Sequence, residues 1–252
     1  MSQGTQPVVV IPARMASSRL PGKPLADIAG RPMIVQVLRR ALEADIGPVV
    51  VACAEAEIAA AVEAAGGIAI LTKVDHPSGS DRVFEAVEAF DPKQKYSAVI
   101  NLQGDLPGLD PTAVLAAHQA LIAHGADIAT LVAKITDPQE LNDESAVKAV
   151  VSFEAQAQIG RAIWFSRLKA PWGEGPYYHH IGIYAYQRHA LKRFVGLPPS
   201  PLELREKLEQ LRALEAGMRI DTACVDTVPL GVDTPQDLDK MRAFFANNPQ
   251  FS

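Results

Sequence analysis

Cysteine is scarce in this sequence, because Cys53 and Cys224 are the only two among 252 residues. Neither belongs to a closely spaced pair of the kind that binds zinc, and so few cysteines provide no disulfide framework. Apolar runs long enough to cross a bilayer are also missing. The first residues lack the basic and apolar segments of a secretory signal. We therefore expect a cytoplasmic protein without membrane insertion.

An excess of basic charge is absent as well, since the formal net charge is −5 at pH 7. This balance argues against a general affinity for nucleic acid. Apolar residues make up 48% of the chain and charged residues 21%, which is typical of a globular protein with a substantial core. Any cluster of basic residues is therefore a local feature.

Short apolar runs alternate with helical patterns through the first half of the chain. The runs predict strands at residues 7–11, 48–53, 68–71 and 98–102, of which the first is expected to be buried on both faces. The patterns after them predict helices at residues 32–44, 56–65, 81–90 and 111–124. Together they predict an α/β fold with a mostly parallel, Rossmann-like twisted sheet and helices on both faces. Ligands of such sheets bind at the carboxyl ends of the strands.

The second half has fewer helical patterns, which favours a small mixed subregion. Strands are predicted at residues 128–135, 147–152, 180–186 and 220–225, and helices at residues 202–216 and 235–246. Because repeats and flexible linkers are absent from the sequence, we predict a single domain over residues 1–252.

The loop after the first predicted strand carries Arg14, Arg19 and Lys23 among small residues. It lacks the glycine spacing of dinucleotide-binding loops and of P-loops. Small side chains let backbone N–H groups approach an anion, and arginine and lysine neutralise its charge. A triphosphate suits this loop, and a solvated basic turn is the alternative.

Two aspartates each follow a short apolar stretch of the chain. Asp105 follows the strand at residues 98–102, and Asp233 precedes the last helix. Either one alone is typical of a turn or a helix cap, although Thr234 is available as a cap. Brought together near a triphosphate, two carboxylates predict a Mg²⁺ site, because Mg²⁺ prefers oxygen ligands and shares phosphate oxygens.

The stretch IPARMASSRLPGKP at residues 11–24 resembles the phosphate-binding signature of the sugar nucleotidyltransferases. Its wording is similar to that of the 3-deoxy-manno-octulosonate (Kdo) cytidylyltransferases. Seven further motifs follow in the family's order, namely HPSGSDR (76–82), NLQGD (101–105), FSR (165–167), HIGIY (180–184), SPLE (200–203), LEQLR (208–212) and GVDTP (231–235). The resemblance covers nearly the whole chain. It implies a fold of the nucleotide-diphospho-sugar transferase type and transfer of CMP from CTP to Kdo, giving CMP-Kdo and pyrophosphate for lipopolysaccharide synthesis.

The resemblance also implies roles for individual residues. Those implied in catalysis are Lys23, Asp105 and Asp233, with Mg²⁺ on the two aspartates. Those implied in CTP binding are Pro12, Ala13, Arg14, Arg19, Lys23, Ser80, Arg82 and Gln103, and those implied in binding the sugar acid are Gln103, Arg167, His180, Glu206 and Gln210. The chain departs from the family at Leu106, where relatives usually carry an acidic residue, and it is shorter than many between Lys169 and Tyr178.

The resemblance also implies how the chain is organised into regions and subunits. Residues 1–135 correspond to a nucleotide-binding half, residues 136–230 to a sugar-acid-binding and dimerisation subregion, and residues 231–252 to a returning metal-ligand loop and last helix. The resemblance implies a homodimer.

Alternatives remain for several of these residues. Ser80 is a candidate helix N-cap, Arg167 a member of an internal ion pair, and His180 a packed side chain. Glu206 and Gln210 lie on one face of the predicted helix at residues 202–216, which solvent commonly covers. For the whole protein, the alternatives are another acid sugar such as 8-amino-Kdo or sialic acid, a neutral sugar phosphate with another nucleotide, and a non-catalytic nucleotide-binding regulator.

Overall fold

The computed structural model describes residues 6–248 and Phe251. The chain divides into two compact units, the first made of Met1–Val114 with Pro229–Ser252 and the second of Leu115–Val228. The division predicted from the sequence, near residues 135 and 230, remains a prediction. Among the described residues, none of the helices combines the length and the apolar character needed to cross a membrane.

Strands and helices alternate along the first half, as the sequence pattern predicts. In chain order the strands are β1 (Pro7–Ala13), β2 (Asp27–Ile28), β3 (Arg31–Pro32), β4 (Val49–Cys53), β5 (Ile68–Leu71), β6 (Ala98–Asn101), β7 (Ile128–Lys134), β8 (Lys148–Ser152), β9 (Ile159–Ser166), β10 (Tyr178–Gln187) and β11 (Ile220–Val225). The helices are α1 (Met33–Glu43), α2 (Ala56–Ala64), α3 (Gly79–Phe90), α4 (Pro111–Ala123), α5 (Arg188–Val195), α6 (Pro201–Glu206), α7 (Gln210–Glu215) and α8 (Pro235–Asn247).

The first unit contains parallel strands in the order β5-β4-β1-β6. Residues Val8 to Ile11 of β1 are completely buried, which explains why this strand is a continuous apolar run rather than an alternating one. The chain builds outward from β1 to β5 and then crosses back to place β6 on the other side of β1. This reversal is a topological switch point, where the loops that follow β1 and β6 leave a crevice for a ligand.

The end of the chain completes the first unit. Thr234 is the N-cap of α8 and forms a capping box with Asp237. Val232, shortly before α8, joins a buried cluster with Ile28 and Met33. The side chains of α8 in the same cluster are Leu238, Met241 and Phe245. This packing fixes Asp233 beside the start of α8.

The second unit contains the mixed strands that the sequence predicts, in the order β10-β7-β11-β9-β8. Strands β7 and β11 are parallel, and the remaining neighbours are antiparallel. Strand β9 and helix α5 were not predicted. The continuous helix predicted at residues 202–216 is wrong, because the chain adopts a left-handed conformation at Lys207, with φ of 56°, and so separates α6 from α7. The face proposed to carry Glu206 and Gln210 is therefore not the face of one helix.

Candidate active site

A cavity of about 370 Å³ opens in the first unit at the carboxyl ends of β1 and β6. Predicted nucleotide and catalytic residues that line it are Pro12, Ala13, Arg14, Arg19, Lys23, Arg82, Gln103 and Asp105. Ala16, Ser17 and Ser18 complete the loop after β1, and their small side chains leave its backbone open to the cavity. The cavity therefore has the position and the lining expected of an anion site at a switch point.

Backbone contacts shape the loop that carries the cations. The carboxylate of Glu55 accepts a hydrogen bond from the Met15 N–H at 3.0 Å, which holds the start of the loop. At its end, Gly22 takes the left-handed conformation, with φ of 70°, that glycine adopts without strain. A short 3-10 turn, Lys23–Leu25, follows directly. The turn leaves the Lys23 side chain only 14% exposed.

The Lys23 ammonium joins the two aspartates. Its Nζ donates to Asp105 Oδ2 at 2.8 Å and to Asp233 Oδ1 at 3.0 Å. The guanidinium of Arg19 lies 3.1 Å from Asp233 Oδ2. Burial lowers the pKa of Lys23, but the two carboxylates outweigh that effect and the net pKa is raised. The lysine therefore stays protonated at neutral pH.

A close approach of the strand ends brings Asp105 into position. A Cβ added to Gly104 would lie 2.7 Å from the Pro12 carbonyl oxygen, so only glycine allows the turn after β6 to pass so near the end of β1. The Asp105 carbonyl also accepts a hydrogen bond from Val232 N–H at 3.0 Å, which ties the returning segment to this turn. Leu106, the departure from the family pattern, is buried.

The two aspartates fit the donor set that Mg²⁺ prefers. Both present carboxylate oxygens within 3.0 Å of a single cationic atom, Lys23 Nζ. Magnesium is commonly held by one or two carboxylates, with substrate phosphates and waters as its other ligands. Across residues 6–248 and Phe251, no group of three or more His, Cys, Asp or Glu side chains is arranged to hold a metal ion. A magnesium role for Asp105 and Asp233 remains a prediction.

The start of α3 forms another wall of the cavity. Ser78, not Ser80, is the N-cap, and its hydroxyl accepts bonds from the N–H groups of Ser80 and Asp81. The expectation that Ser80 caps the helix is wrong, since Ser80 lies inside the first turn and is only 2% exposed. Ser78 and Gly79 line the cavity instead. A contact between Ser80 and CTP remains a prediction from the resemblance.

The Arg82 guanidinium forms hydrogen bonds with the loop that precedes α3. It donates to the Thr72 hydroxyl at 2.5 Å and to the carbonyl oxygens of Lys73 at 2.9 Å and Val74 at 3.3 Å. Burial lowers its pKa from the ordinary value. A direct contact with the nucleotide remains a prediction, and the bonds observed are those of a residue that holds the loop before α3.

In the second unit, Arg167 and Glu206 are brought together. The Arg167 N–H donates to Glu206 Oε2 at 3.2 Å, and its guanidinium donates to the carbonyl oxygens of Glu206 at 2.8 Å, Glu144 at 2.9 Å and Lys207 at 3.3 Å. These guanidinium bonds reach neutral carbonyls rather than a carboxylate. The arrangement therefore keeps a net positive charge on Arg167, as an anion-binding group requires.

His180 and Gln210 are both buried in the second unit. The His180 Nε2 lies 3.0 Å from the Thr130 hydroxyl, and its ring packs edge-on against Phe165. Burial, followed by the nearby charge of His179, lowers the pKa of His180 to about 3, so the ring is neutral at pH 7. The Gln210 side-chain nitrogen is a buried donor without a hydrogen-bond partner among the described residues. An unpaired buried donor is costly unless a ligand satisfies it.

Three residues with clear structural roles escaped the sequence-based reasoning. His76 lines the cavity, Glu55 anchors the cationic loop, and Glu85 contacts both His76 and the Lys73 N–H. The sequence carries no local signal for these three. It does carry one for the helix cap at Ser78, because the spacing of Ser78 and Asp81 is typical of a capping box. The other contacts join residues far apart in sequence or on a loop, and a single sequence carries no signal for them.

Comparison with known proteins identifies the same family as the sequence motifs do. A family model described as cytidylyltransferase matches residues 8–220. A 3-deoxy-manno-octulosonate cytidylyltransferase of Parvibaculum lavamentivorans is 64% identical over 240 residues, covering 95% of this chain and 93% of the relative. The protein of that name from Rhodospirillum centenum is 64% identical over 237 residues, covering 94% and 92%.

Solved structures agree with this result. A CMP:2-keto-3-deoxy-manno-octonic acid synthetase complexed with CTP matches with a TM-score of 0.88 at 42% identity, covering 96% of this chain and 99% of the other. A nucleotidyl transferase from Methanothermobacter, at 14% identity and a TM-score of 0.65 over 97% of this chain and 99% of the other, shows the fold alone. The predicted Rossmann-like α/β fold is confirmed. The chain belongs to the cytidylyltransferase family, among its 3-deoxy-manno-octulosonate cytidylyltransferases.

Proposed function

We propose that this protein transfers CMP from CTP to the anomeric hydroxyl of Kdo and releases pyrophosphate. The observation that carries the proposal is the cavity of the first unit, where the cations of the loop after β1 and Asp105 share the carboxyl edge of a parallel sheet and Asp233 bonds the same lysine. The names of the relatives and the solved synthetase complexed with CTP support the same activity. Fold alone would not support it, since many functions share this architecture.

The cationic loop is suited to the triphosphate. Arg14 and Arg19 are exposed at the cavity and can each chelate phosphate oxygens, whereas Lys23 is a compact charge in a fixed position. Open backbone around Ala16, Ser17 and Ser18 adds N–H donors. Together these groups stabilise the negative charge that develops on the leaving pyrophosphate.

The reaction is an in-line displacement. A bond forms between the anomeric oxygen of Kdo and the α-phosphorus as the bond from that phosphorus to pyrophosphate breaks, and the hydroxyl proton is released. The protein supplies position and charge rather than a covalent nucleophile. Burial raises the pKa of Cys53 to about 11, so this thiol stays protonated and unreactive at pH 7.

Asp105 and Asp233 are the residues that would hold Mg²⁺. A bound Mg²⁺ supplies Lewis-acid polarisation of the α-phosphate and offsets charge on the phosphates. Lys23, within reach of both carboxylates, keeps them close despite their mutual repulsion. Its position also allows it to contact the same phosphate groups.

The sugar acid is assigned to residues of the second unit, and a role for Gln103 remains an expectation from the resemblance. The charge on Arg167 suits the Kdo carboxylate, and the Gln210 amide donor suits a hydroxyl. The carboxylate of Glu206 is an acceptor for hydroxyl groups, and neutral His180 bonds a hydroxyl without adding charge.

A pyrophosphate-release assay tests the proposal. CTP, UTP, ATP and GTP are each paired with Kdo, 8-amino-Kdo, sialic acid and neutral sugar phosphates. We expect kcat/KM for CTP with Kdo to exceed that of every other pair by at least about tenfold. A higher value with another acid sugar would reassign the acceptor, and an absence of turnover with every pair would favour a nucleotide-binding regulator.

The proposal extends to the setting of the enzyme. We assign it to the cytoplasm, as a homodimer that supplies CMP-Kdo for lipopolysaccharide synthesis. The family membership supports the pathway, and mass measurement in solution by light scattering tests the dimer.

A further inference from the structure

One charged face of helix α3 holds the loop that precedes it. This loop, residues 72–78, connects β5 to α3 and contributes His76 and Ser78 to the cavity. Arg82 binds the start of the loop through the Thr72 hydroxyl and two backbone carbonyls. Glu85 lies three residues further along the same face of α3. The loop is therefore held by side chains of opposite charge.

Glu85 supplies the contacts that Arg82 cannot. Its Oε2 accepts a hydrogen bond from the Lys73 N–H at 3.3 Å and contacts Nε2 of His76. Burial raises the pKa of Glu85, but the bonds from His76 and Lys73 outweigh it and the net pKa is lowered. The carboxylate is therefore ionised at neutral pH and is a strong acceptor for both donors.

The contact with Glu85 orders the His76 ring. The His76 side chain is only 13% exposed, yet it lines the cavity. With Nε2–H donated to the carboxylate, Nδ1 is the ring nitrogen left to meet a ligand. A carboxylate that fixes the orientation of a histidine in this way is a common device in binding sites.

The charge at this wall of the cavity differs from the charge at the loop after β1. Arg14, Arg19 and Lys23 give the loop after β1 a strong positive charge. At the α3 wall, the charge of Glu85 is offset by Arg82 and by hydrogen bonds from the loop. A phosphate group is favoured at the first location, and an uncharged heterocycle with a hydrogen-bonding edge at the second.

We propose that Glu85 is a positioning residue that fixes His76 and the loop at residues 72–78 for binding the nucleobase of CTP. The inference rests on the proposed function and deepens it, because it names how one wall of the cavity is ordered. Glu85 itself does not touch the substrate and acts through His76.

Binding measurements with two probes test the role. CTP binding is measured by titration calorimetry, and inorganic tripolyphosphate binding by competition with CTP. We expect Glu85→Gln to weaken CTP binding about tenfold and to leave tripolyphosphate binding unchanged. KM for CTP should rise similarly while kcat and KM for Kdo change less than about twofold. Glu63→Gln, an exposed glutamate on α2, is the control and should resemble the wild type.

His76→Asn provides a second route if Glu85→Gln folds poorly, because His76 lies on a loop. It should weaken CTP binding to the same extent, and the double variant should be no weaker than either single variant. CTP binding within about twofold of the wild type in Glu85→Gln, an equal loss for both probes, or additive losses in the double variant would overturn the proposal. A wild-type protein that binds no CTP would instead overturn the proposed function.

Discussion

At the scale of single residues, Lys23 joins parts of the first unit that are far apart in sequence. Asp233 lies 210 positions after the lysine, yet their side chains are 3.0 Å apart. The ammonium offsets the repulsion between the carboxylates of Asp105 and Asp233. Removing the charge of Asp233 alone leaves Lys23 paired with Asp105, so a conservative change at Asp233 tests chemistry rather than folding.

We therefore expect Asp233→Asn to lower kcat by about 100-fold or more while the thermal midpoint changes little. The Asp233 side chain is 48% exposed, so little packing depends on its charge. Steady-state kinetics and thermal unfolding measure the two effects. Asp239→Asn, an exposed aspartate on α8, is the control. Normal turnover in Asp233→Asn would remove this residue from the mechanism.

The site could be predicted where the chemistry is local. The positions of the cations after β1 and of Asp105 after β6 follow from the rule that parallel sheets bind ligands at their carboxyl edge. The bonds of Arg82 and Arg167 could not be predicted, because each guanidinium meets backbone carbonyls whose positions depend on the folded chain. A basic side chain in a motif does not show by itself whether it faces a ligand or the protein.

At the scale of elements, Lys148 anchors the start of β8. Its side chain is 0% exposed, and Nζ donates to the carbonyl oxygens of Asp143 at 2.6 Å, Ala146 at 2.7 Å and Arg167 at 3.0 Å. One buried ammonium thus satisfies carbonyls both before β8 and after β9. The loop before β8 and the segment that carries Arg167 are held by the same group.

Lys148→Met should lower the free energy of unfolding by about 2 kcal/mol, because three carbonyls lose their charged donor. Urea denaturation measures the change. Lys134→Met, at the exposed end of β7, is the matched control and should stay within about 0.5 kcal/mol of the wild type. Equal stability of Lys148→Met and the control would show that water replaces the ammonium without cost.

Strands β1, β4 and β6 could be predicted because buried parallel strands are continuous apolar runs, and the edge strand β5 is apolar as well although it is partly exposed. Strand β9 was missed because its side chains are unevenly buried and Ile163 is exposed, so its pattern matches neither a buried nor a half-buried strand. The break between α6 and α7 was missed because lysine is a good helix former. Arg167 binds the carbonyls of Glu206 and Lys207, and these distant bonds stabilise the interruption.

At the scale of the whole molecule, buried His180 makes stability depend on pH. Its pKa is about 3 in the folded state against an ordinary value of 6.5, so between these values the unfolded chain binds one more proton than the folded chain. The stabilisation from keeping this ring neutral is complete above pH 6.5 and is lost as the pH falls toward 3.

We expect the free energy of unfolding to fall by up to about 1.4 kcal/mol per pH unit below pH 6.5 through His180 alone. Asp110, Asp143, Glu203 and Asp237 also have lowered pKa values, but their contributions are lost only further into the acid range. Urea denaturation from pH 7 to 5 should give a flatter profile for His180→Gln than for the control His189→Gln, which alters an exposed ring. Identical slopes would exclude His180 as the source.

The first unit is discontinuous in the chain, with Leu115–Val228 lying between its two segments. During translation, the ribosome releases the residues around β1 long before it adds Asp233 and helix α8. A nascent chain that has left the exit tunnel only as far as the second unit therefore lacks one of the two carboxylates beside Lys23, and its apolar surface at Ile28 and Met33 waits for the partners on α8. Synthesis thus delays the pairing of Asp233 with Lys23 until α8 is made, and the apolar surface at Ile28 and Met33 stays uncovered until then.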